Sequence, residues 1–329
     1  MDMKTRYLGL ELKHPFMPGA CPLADELDTV KKLEDAGASA LVVRSLFEEQ
    51  IVAEEMATID AMEGPADSFA EALSYFPKMD SFKLGPDDYL EHLRKIKSTV
   101  GIPVIASLNG TTPGSWLRYA TSMEEAGADA LELNVYMLAT DPEVTGQSLE
   151  ERTIEMVKSV KSQVKIPVAV KLSPYYSSLA NFARNLNDAG ADGVVLFNRF
   201  YQPDIDVEEL EATRELVLSD SSELLLRLRW LGILGAGPFQ GSMAASGGVH
   251  TTLDAVKAIM CGAHGVQVVS ALLKRGPQYL ATLIEETEKW LERHEYESLA
   301  QMRGSMALDK VSNPAAFERA NYVEILKSW

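Results

Sequence analysis

Four polar side chains stand at the ends of otherwise apolar segments: Arg44 in ALVVRS, Asn134 in ALELNV, Lys171 in PVAVKL and Asn198 in GVVLFN. Side chains alternate across a strand, so parity assigns faces. Val168, Val170 and Leu172 share one face of PVAVKL, which leaves Lys171 with Ala169 on the other. Leu131, Leu133 and Val135 likewise oppose Glu132 and Asn134. Arg44 falls with Val42, and Asn198 falls with Val194 and Leu196, although both faces of that last segment are apolar. An ammonium, a guanidinium and two amides brought together can hold a polar or anionic ligand. Singly, each is a polar strand end fading into solvent; four on different strands favour a shared site. Glu132 and Gln267 fall deeper on inward faces. A lone buried charge is costly there, so they are expected to pair in a structural network.

A second group lies in ASGGVHTTLDAV, residues 245–256. Gly247 and Gly248 end an apolar run, and Thr251 or Thr252 can cap the helix that follows. Bare glycine N–H groups beside a helix start suit an anion. Ser270, in VVSALLKRGP, opens another helix in the same way. A glycine pair alone marks turns of every kind, so its weight comes from its place in the chain.

That place is set by a repeat. EDAGASALVV (34–43), EEAGADALEL (124–133) and NDAGADGVVL (187–196) each end a helix, turn through Gly and begin an apolar strand; MCGAHGVQVV (260–269) is a looser copy. GIPVIASL (101–108) and KIPVAVKL (165–172) start strands with Pro, where the missing N–H matters least. Strands are expected near 15–20, 40–45, 103–108, 130–135, 167–172, 193–198, 242–246 and 265–270. Helices are expected at 25–36, 87–99, 148–163, 178–189 and 252–261. Eight strands alternating with helices read as an α/β fold, a (β/α)₈ TIM barrel forming one domain over 1–329. A doubly wound sheet competes, but no GxGxxG follows a strand. The connections 46–86 and 199–241 exceed simple turns and read as long insertions at the C-terminal face, where this architecture puts its active sites. The segment beyond about 290 reads as packing or oligomer surface.

With 31 Lys and Arg against 48 Asp and Glu, the net charge of −17 disfavours nucleic acid and anionic membrane as partners. Cys21 and Cys261 form no CxxC pair, which argues against an iron–sulfur cluster or a disulfide scaffold. No metal site is expected. The N-terminus shows no signal pattern and no run spans a bilayer, so a cytoplasmic location is expected.

In order and spacing, these motifs resemble the dihydroorotate dehydrogenase family over roughly 5–305: HPFMPGA, VRS, ELNVYMLA, VAVKLSP, SGGVHT and VQVVSAL each match a family segment. The resemblance implies FMN at the barrel mouth. The flavin lysine falls on Lys171, whose cation near N1 and the C2 carbonyl would stabilise the anionic reduced flavin. The flavin asparagine falls on Asn134 and the serine beside the ring on Ser45, with Ala20 and Asn109 also reaching toward the cofactor. The phosphate end falls on Ser246, Gly247, Gly248, Val269 and Ser270.

The substrate side departs from the family. Its catalytic base is Cys or Ser, and that slot holds Met137, which takes no proton. The next family asparagine is Ala139, the substrate lysine is Arg44 and the serine after Asn198 is Arg199. The family's substrate loop has no counterpart in ALSYFPKMDSFKLG, 72–85. Tyr136 is the preferred replacement base, with Thr140, Asp141, His14 and His250 as further candidates, although Asp141 reads as a turn residue and the histidines as surface. Arg44, Asn134, Asn198 and Arg199 would contact the substrate, and the two arginines favour a small anion. The expectation is an FMN-dependent oxidoreductase acting on something other than dihydroorotate, through an external electron acceptor, as a homodimer. Oxidation of dihydroorotate itself, a flavin-free barrel forming a Schiff base at Lys171, and a non-catalytic flavin binder are the alternatives.

Overall fold

The computed structural model describes residues 1–48, 85–110, 113–135, 137–199, 202–213, 215–319 and 321–328. The three repeat copies end their helices alike. Gly37, Gly127 and Gly190, each at φ +94°, follow the helices Leu27–Asp35, Pro113–Glu125 and Leu179–Asp188. A residue without Cβ takes that conformation cheaply, so the chain reverses and enters a strand.

The residue two places later latches the start of a neighbouring strand. Ser39 Oγ donates to the Phe16 carbonyl at 2.7 Å. Asp129 accepts from Val104 N and Lys97 Nζ, both at 2.6 Å. Asp192 accepts from Val168 N at 2.8 Å and Lys161 Nζ at 2.6 Å. His264 Nδ1 faces Met243 N at 3.2 Å in the looser copy. The sequence repeat is therefore a set of fasteners at the N-terminal ends of the strands, opposite the face that carries the polar cleft.

In chain order the strands are β1 (Thr5–Tyr7), β2 (Leu10–Leu12), β3 (Phe16–Pro18), β4 (Leu41–Val42), β5 (Leu46–Phe47), β6 (Val104–Asn109), β7 (Ala130–Asn134), β8 (Val168–Leu172), β9 (Gly193–Leu196), β10 (Asp204–Asp206), β11 (Glu211–Thr213), β12 (Ser242–Ser246) and β13 (Gly265–Val268). The main sheet runs β3-β13-β12-β9-β8-β7-β6-β4, and β5 pairs with the far end of β6. All of its ladders are parallel. The Ser39 contact to Phe16 brings β4 back beside β3, so the eight strands close into a (β/α)₈ barrel rather than a doubly wound sheet.

Two apolar layers hold it. Outward-facing Leu131, Leu133, Val168, Val170, Val194 and Leu196 pack against the helices. Inward-facing Met17, Val42, Ile105, Ala130, Ala169, Val195 and Ala244 form the lower interior, plugged by Tyr7, Leu8 and Leu12 of the β1–β2 hairpin. One parity expectation is corrected: Val195 is the inward residue of β9, and Val194 and Leu196 face the helices. Both faces of GVVL are apolar, so period gave no handle on direction, and Asn198 lies beyond the strand, where alternation no longer applies.

The connection 199–241 contains the antiparallel pair β10–β11 and a helix, Leu224–Gly235, which the sequence reading missed. LLLRLRWLGILG is apolar nearly all round, so it shows no amphipathic stripe. Most of the 46–86 connection lies outside the described residues. Among the described residues no helix is long and apolar enough to cross a membrane. Nor does any group of three or more His, Cys, Asp or Glu there have the arrangement to hold a metal ion.

Candidate functional site

A cleft opens at the C-terminal ends of the strands. It is lined by Ala20 after β3, Arg44 and Ser45 after β4, Asn134 of β7, Lys171 of β8, Asn198 and Arg199 after β9, Ser246–Gly248 at the end of β12, and Val269 and Ser270 after β13. The four polar strand ends do converge there.

At its floor, Lys171 Nζ donates to Glu132 Oε1 at 3.2 Å and to Gln267 Oε1 at 3.4 Å, while Gln267 Nε2 donates to Glu132 Oε2. All three side chains are buried. The register places Asn134 beside Lys171, one inward layer above Glu132. Asn134 is buried, yet its Oδ1 has no hydrogen-bond partner among the described residues. An orphaned buried carbonyl is worth about 1–3 kcal/mol of lost solvation, so its position in a ligand cleft calls for a donor from the ligand. Tyr7 OH, lower in the interior, is also unpartnered there; burial first and the Glu132 charge second push its pKa well up.

The glycine end of the cleft is built by packing. Gly247 and Gly248 have φ of +87° and +80°. A Cβ on Gly248 would stand 2.4 Å from Leu224 N, and one on Gly247 2.9 Å from Arg227 Nη2. Arg227, buried in turn, donates to the Ser246 carbonyl at 3.0 Å and the Glu223 carbonyl at 2.7 Å. Thr251 caps the next helix through a reciprocal pair with Asp254, as one of the two expected threonines.

Ser45 Oγ lies 2.7 Å from Ser107 Oγ, which ties the β4 end to β6. Asn109 ends β6 buried beside Asn134 but does not line the cleft. Met137 points elsewhere: it packs on the core and lines a small niche with Trp116, Val135 and Met156. Tyr136 and the 72–84 segment lie outside the described residues. Asp141 is the expected turn residue, accepting from Glu143 N at 2.9 Å, and Thr140 is exposed.

Two expectations need correction. The histidines are not surface residues. His14 is buried at the strand starts, 2.7 Å from the Gly37 carbonyl and far from the cleft, and burial pushes its pKa down to about 4. His250 is buried behind the cleft wall with Nε2 3.0 Å from Ser219 Oγ; burial first and Lys274 second lower its pKa. The arginines, assigned to an anionic substrate, already hold carboxylates. Arg44 Nη1 lies 2.8 Å from Asp25 Oδ2. Arg199 donates from Nε and Nη2 to Glu223 at 3.3 and 2.9 Å, and from Nη1 to the Val217 carbonyl. Their positions hold, but their charge is largely compensated.

Sequence reasoning missed Cys21, Phe47, Phe197 and Ser219 as cleft residues. Cys21 directly follows the family-like HPFMPGA stretch, and that adjacency was the available signal. Burial pushes its thiol up to about 11, with Lys171 and Arg44 pulling weakly the other way. Ser219 had no signal, because the fold sets its N–H against Ser270 Oγ, 51 positions further along the chain.

The barrel with this rim of lysine, amides and glycines defines a class: TIM-barrel proteins with a small-molecule cleft at the strand C-termini. The family model for dihydroorotate dehydrogenase matches residues 72–217. A relative from Aeropyrum pernix, named as a dihydroorotate dehydrogenase A (fumarate), is 33% identical over 211 residues, 62% of this chain and 67% of the relative. Catalytic subunits of dihydroorotate dehydrogenase B (NAD(+)) from Thermoplasma acidophilum and Methanocaldococcus jannaschii are 27% and 24% identical, covering 92% and 88% of this chain and 98% and 93% of theirs. The chain belongs to the dihydroorotate dehydrogenase family, and it is an oxidoreductase.

Proposed function

We propose that the cleft binds FMN and serves a substrate other than dihydroorotate. The observation that carries the cofactor reading is the buried, unpartnered Asn134 Oδ1 beside Lys171. An isoalloxazine edge offers the N–H donor that this oxygen lacks. Lys171 would face the ring's N1–C2 edge, Ser45 and Ala20 would flank it, and the main chain of Gly247, Gly248, Val269 and Ser270 would hold the phosphate. Bound flavin supplies hydride transfer at N5. The chain's own residues orient the substrate.

Met137 supports the departure in substrate. It stands in the family's base position and packs into an apolar niche outside the cleft lining. A site without that base, and without the family's second asparagine, loses discriminating contacts to dihydroorotate. The substrate-facing polar groups are then Asn198, Arg44 and Arg199. Because both guanidiniums carry internal carboxylates, an anion gains less from them than unpaired cations would give. The electron acceptor is external, and a homodimer remains the expected assembly.

The Schiff-base reading has less support. Lys171 Nζ would first have to leave Glu132 and Gln267, both inside the barrel. The purified protein should show flavin absorbance, release FMN on denaturation and turn over dihydroorotate poorly with fumarate, NAD or quinone acceptors. Colourless protein that takes up no FMN on reconstitution ends the cofactor reading. Robust dihydroorotate turnover ends the substrate reading. Substrate trapped on Lys171 by borohydride would favour the flavin-free barrel.

A further inference from the structure

We infer that Glu132 is a positioning residue for the redox chemistry of this cleft: it fixes Lys171 and offsets its charge, and so sets the reduction potential of the bound flavin. The inference rests on the proposal that FMN occupies the cleft. Its own basis is the buried triad of Lys171, Glu132 and Gln267. Glu132 is 1% exposed, Gln267 1% and Lys171 6%.

A buried carboxylate needs a reason. Here one oxygen of Glu132 takes the ammonium of Lys171 at 3.2 Å and the other takes the amide of Gln267, whose own carbonyl returns to the ammonium at 3.4 Å. The loop of contacts is closed and spans β7, β8 and β13, three different strands. Such a triad leaves the lysine little freedom to swing. Lys171 and Gln267 line the cleft, while Glu132 is not among its lining residues. The carboxylate therefore acts through the lysine rather than by touching a ligand.

Two-electron reduction of flavin with uptake of one proton leaves one negative charge, centred on the N1–C2 edge. A lone lysine there would favour that charge and raise the potential. A lysine already paired with a buried carboxylate favours it less. The pair makes the flavin a weaker oxidant than Lys171 alone would, while keeping the ammonium on its mark.

The test is a dithionite titration of FMN-loaded protein against a reference dye, for wild type and Glu132→Gln. Gln keeps the shape and a hydrogen bond but removes the charge. The expected result is an upward shift of tenfold or more in the reduction equilibrium, about 30 mV for a two-electron couple. An E132Q protein that binds FMN and titrates at the wild-type potential overturns the inference. Should E132Q alone not fold, Glu132→Asp is titrated instead: it keeps the buried carboxylate but draws it back from the Lys171 ammonium, so the potential should rise, and a potential equal to wild type overturns the inference. Wild-type protein that takes up no FMN removes the underlying reading first, before any variant is compared. A change in thermal stability without a change in potential marks a purely structural carboxylate.

Discussion

Arg199 grips Glu223 with two nitrogens, Nε at 3.3 Å and Nη2 at 2.9 Å, on the wall of the cleft. The same carboxylate lies 3.8 Å from Arg227 Nη2, so Glu223 stands between the cleft-lining arginine and the one that braces Ser246. A cation in a cleft is thus not a free anion site: its charge is already answered from within the protein.

Glu223→Gln should release that answer. Binding of small carboxylates in the cleft is expected to strengthen by about tenfold, or about 1.4 kcal/mol. Titration calorimetry or inhibition by a carboxylate series reads it. Unchanged affinity would show that Arg199 does not meet the ligand.

Gly248 and Gly9 share a left-handed backbone but differ in surroundings, at φ +80° and +76°. A Cβ on Gly248 meets Leu224 N at 2.4 Å, whereas nothing lies within 4 Å of one on Gly9. Gly9→Ala should destabilise by about 1–2 kcal/mol, the conformational term alone. Gly248→Ala should lose about 3 kcal/mol or more, since the clash adds to it, and should weaken FMN retention. Equal losses in urea melts would mean that the turn relaxes away from Leu224.

Met137→Ser should not restore dihydroorotate oxidation. The side chain packs beside Trp116 and Met156, so a hydroxyl placed there does not reach the cleft. The expected outcome is a stability loss of about 1–3 kcal/mol with no gain in dihydroorotate turnover. A clear gain would show that the segment around Tyr136 re-forms with the residue turned inward.

Acid should weaken the fold through two buried histidines. Burial holds His14 and His264 down at about 4, against 6.5 for the free side chain, with Arg303 adding to the effect on His264. Both stay neutral in the folded chain and take a proton on unfolding. Their stabilisation is therefore present above about pH 6.5 and is lost as pH falls toward about 4. Each adds up to about 1.4 kcal/mol per pH unit in that window. Urea unfolding of His264→Gln between pH 7 and 4.5 should show a slope shallower by about one proton than wild type. Parallel profiles would disprove the linkage.

Much of this protein is legible from pattern because its determinants are local. Glycine two residues before Ser39, Asp129 and Asp192 marks helix ends, and period two assigns Lys171, Glu132 and Asn134 inward once Val168, Val170, Leu131 and Leu133 are seen to face the helices. Period failed at GVVL and at LLLRLRWLGILG, where apolar residues occupy every side.

What tertiary structure alone decided is who meets whom. Closure of the barrel brings Gln267 to Lys171 across 96 positions and Ser219 to His250 across 31, and it sets Asp25 against Arg44 and Glu223 against Arg199. Residue type and spacing told where charges would stand; only the folded neighbours told whether those charges were spent. The reason is range: backbone alternation is set by adjacent residues, while the field in a cleft sums over every group that folding gathers around it.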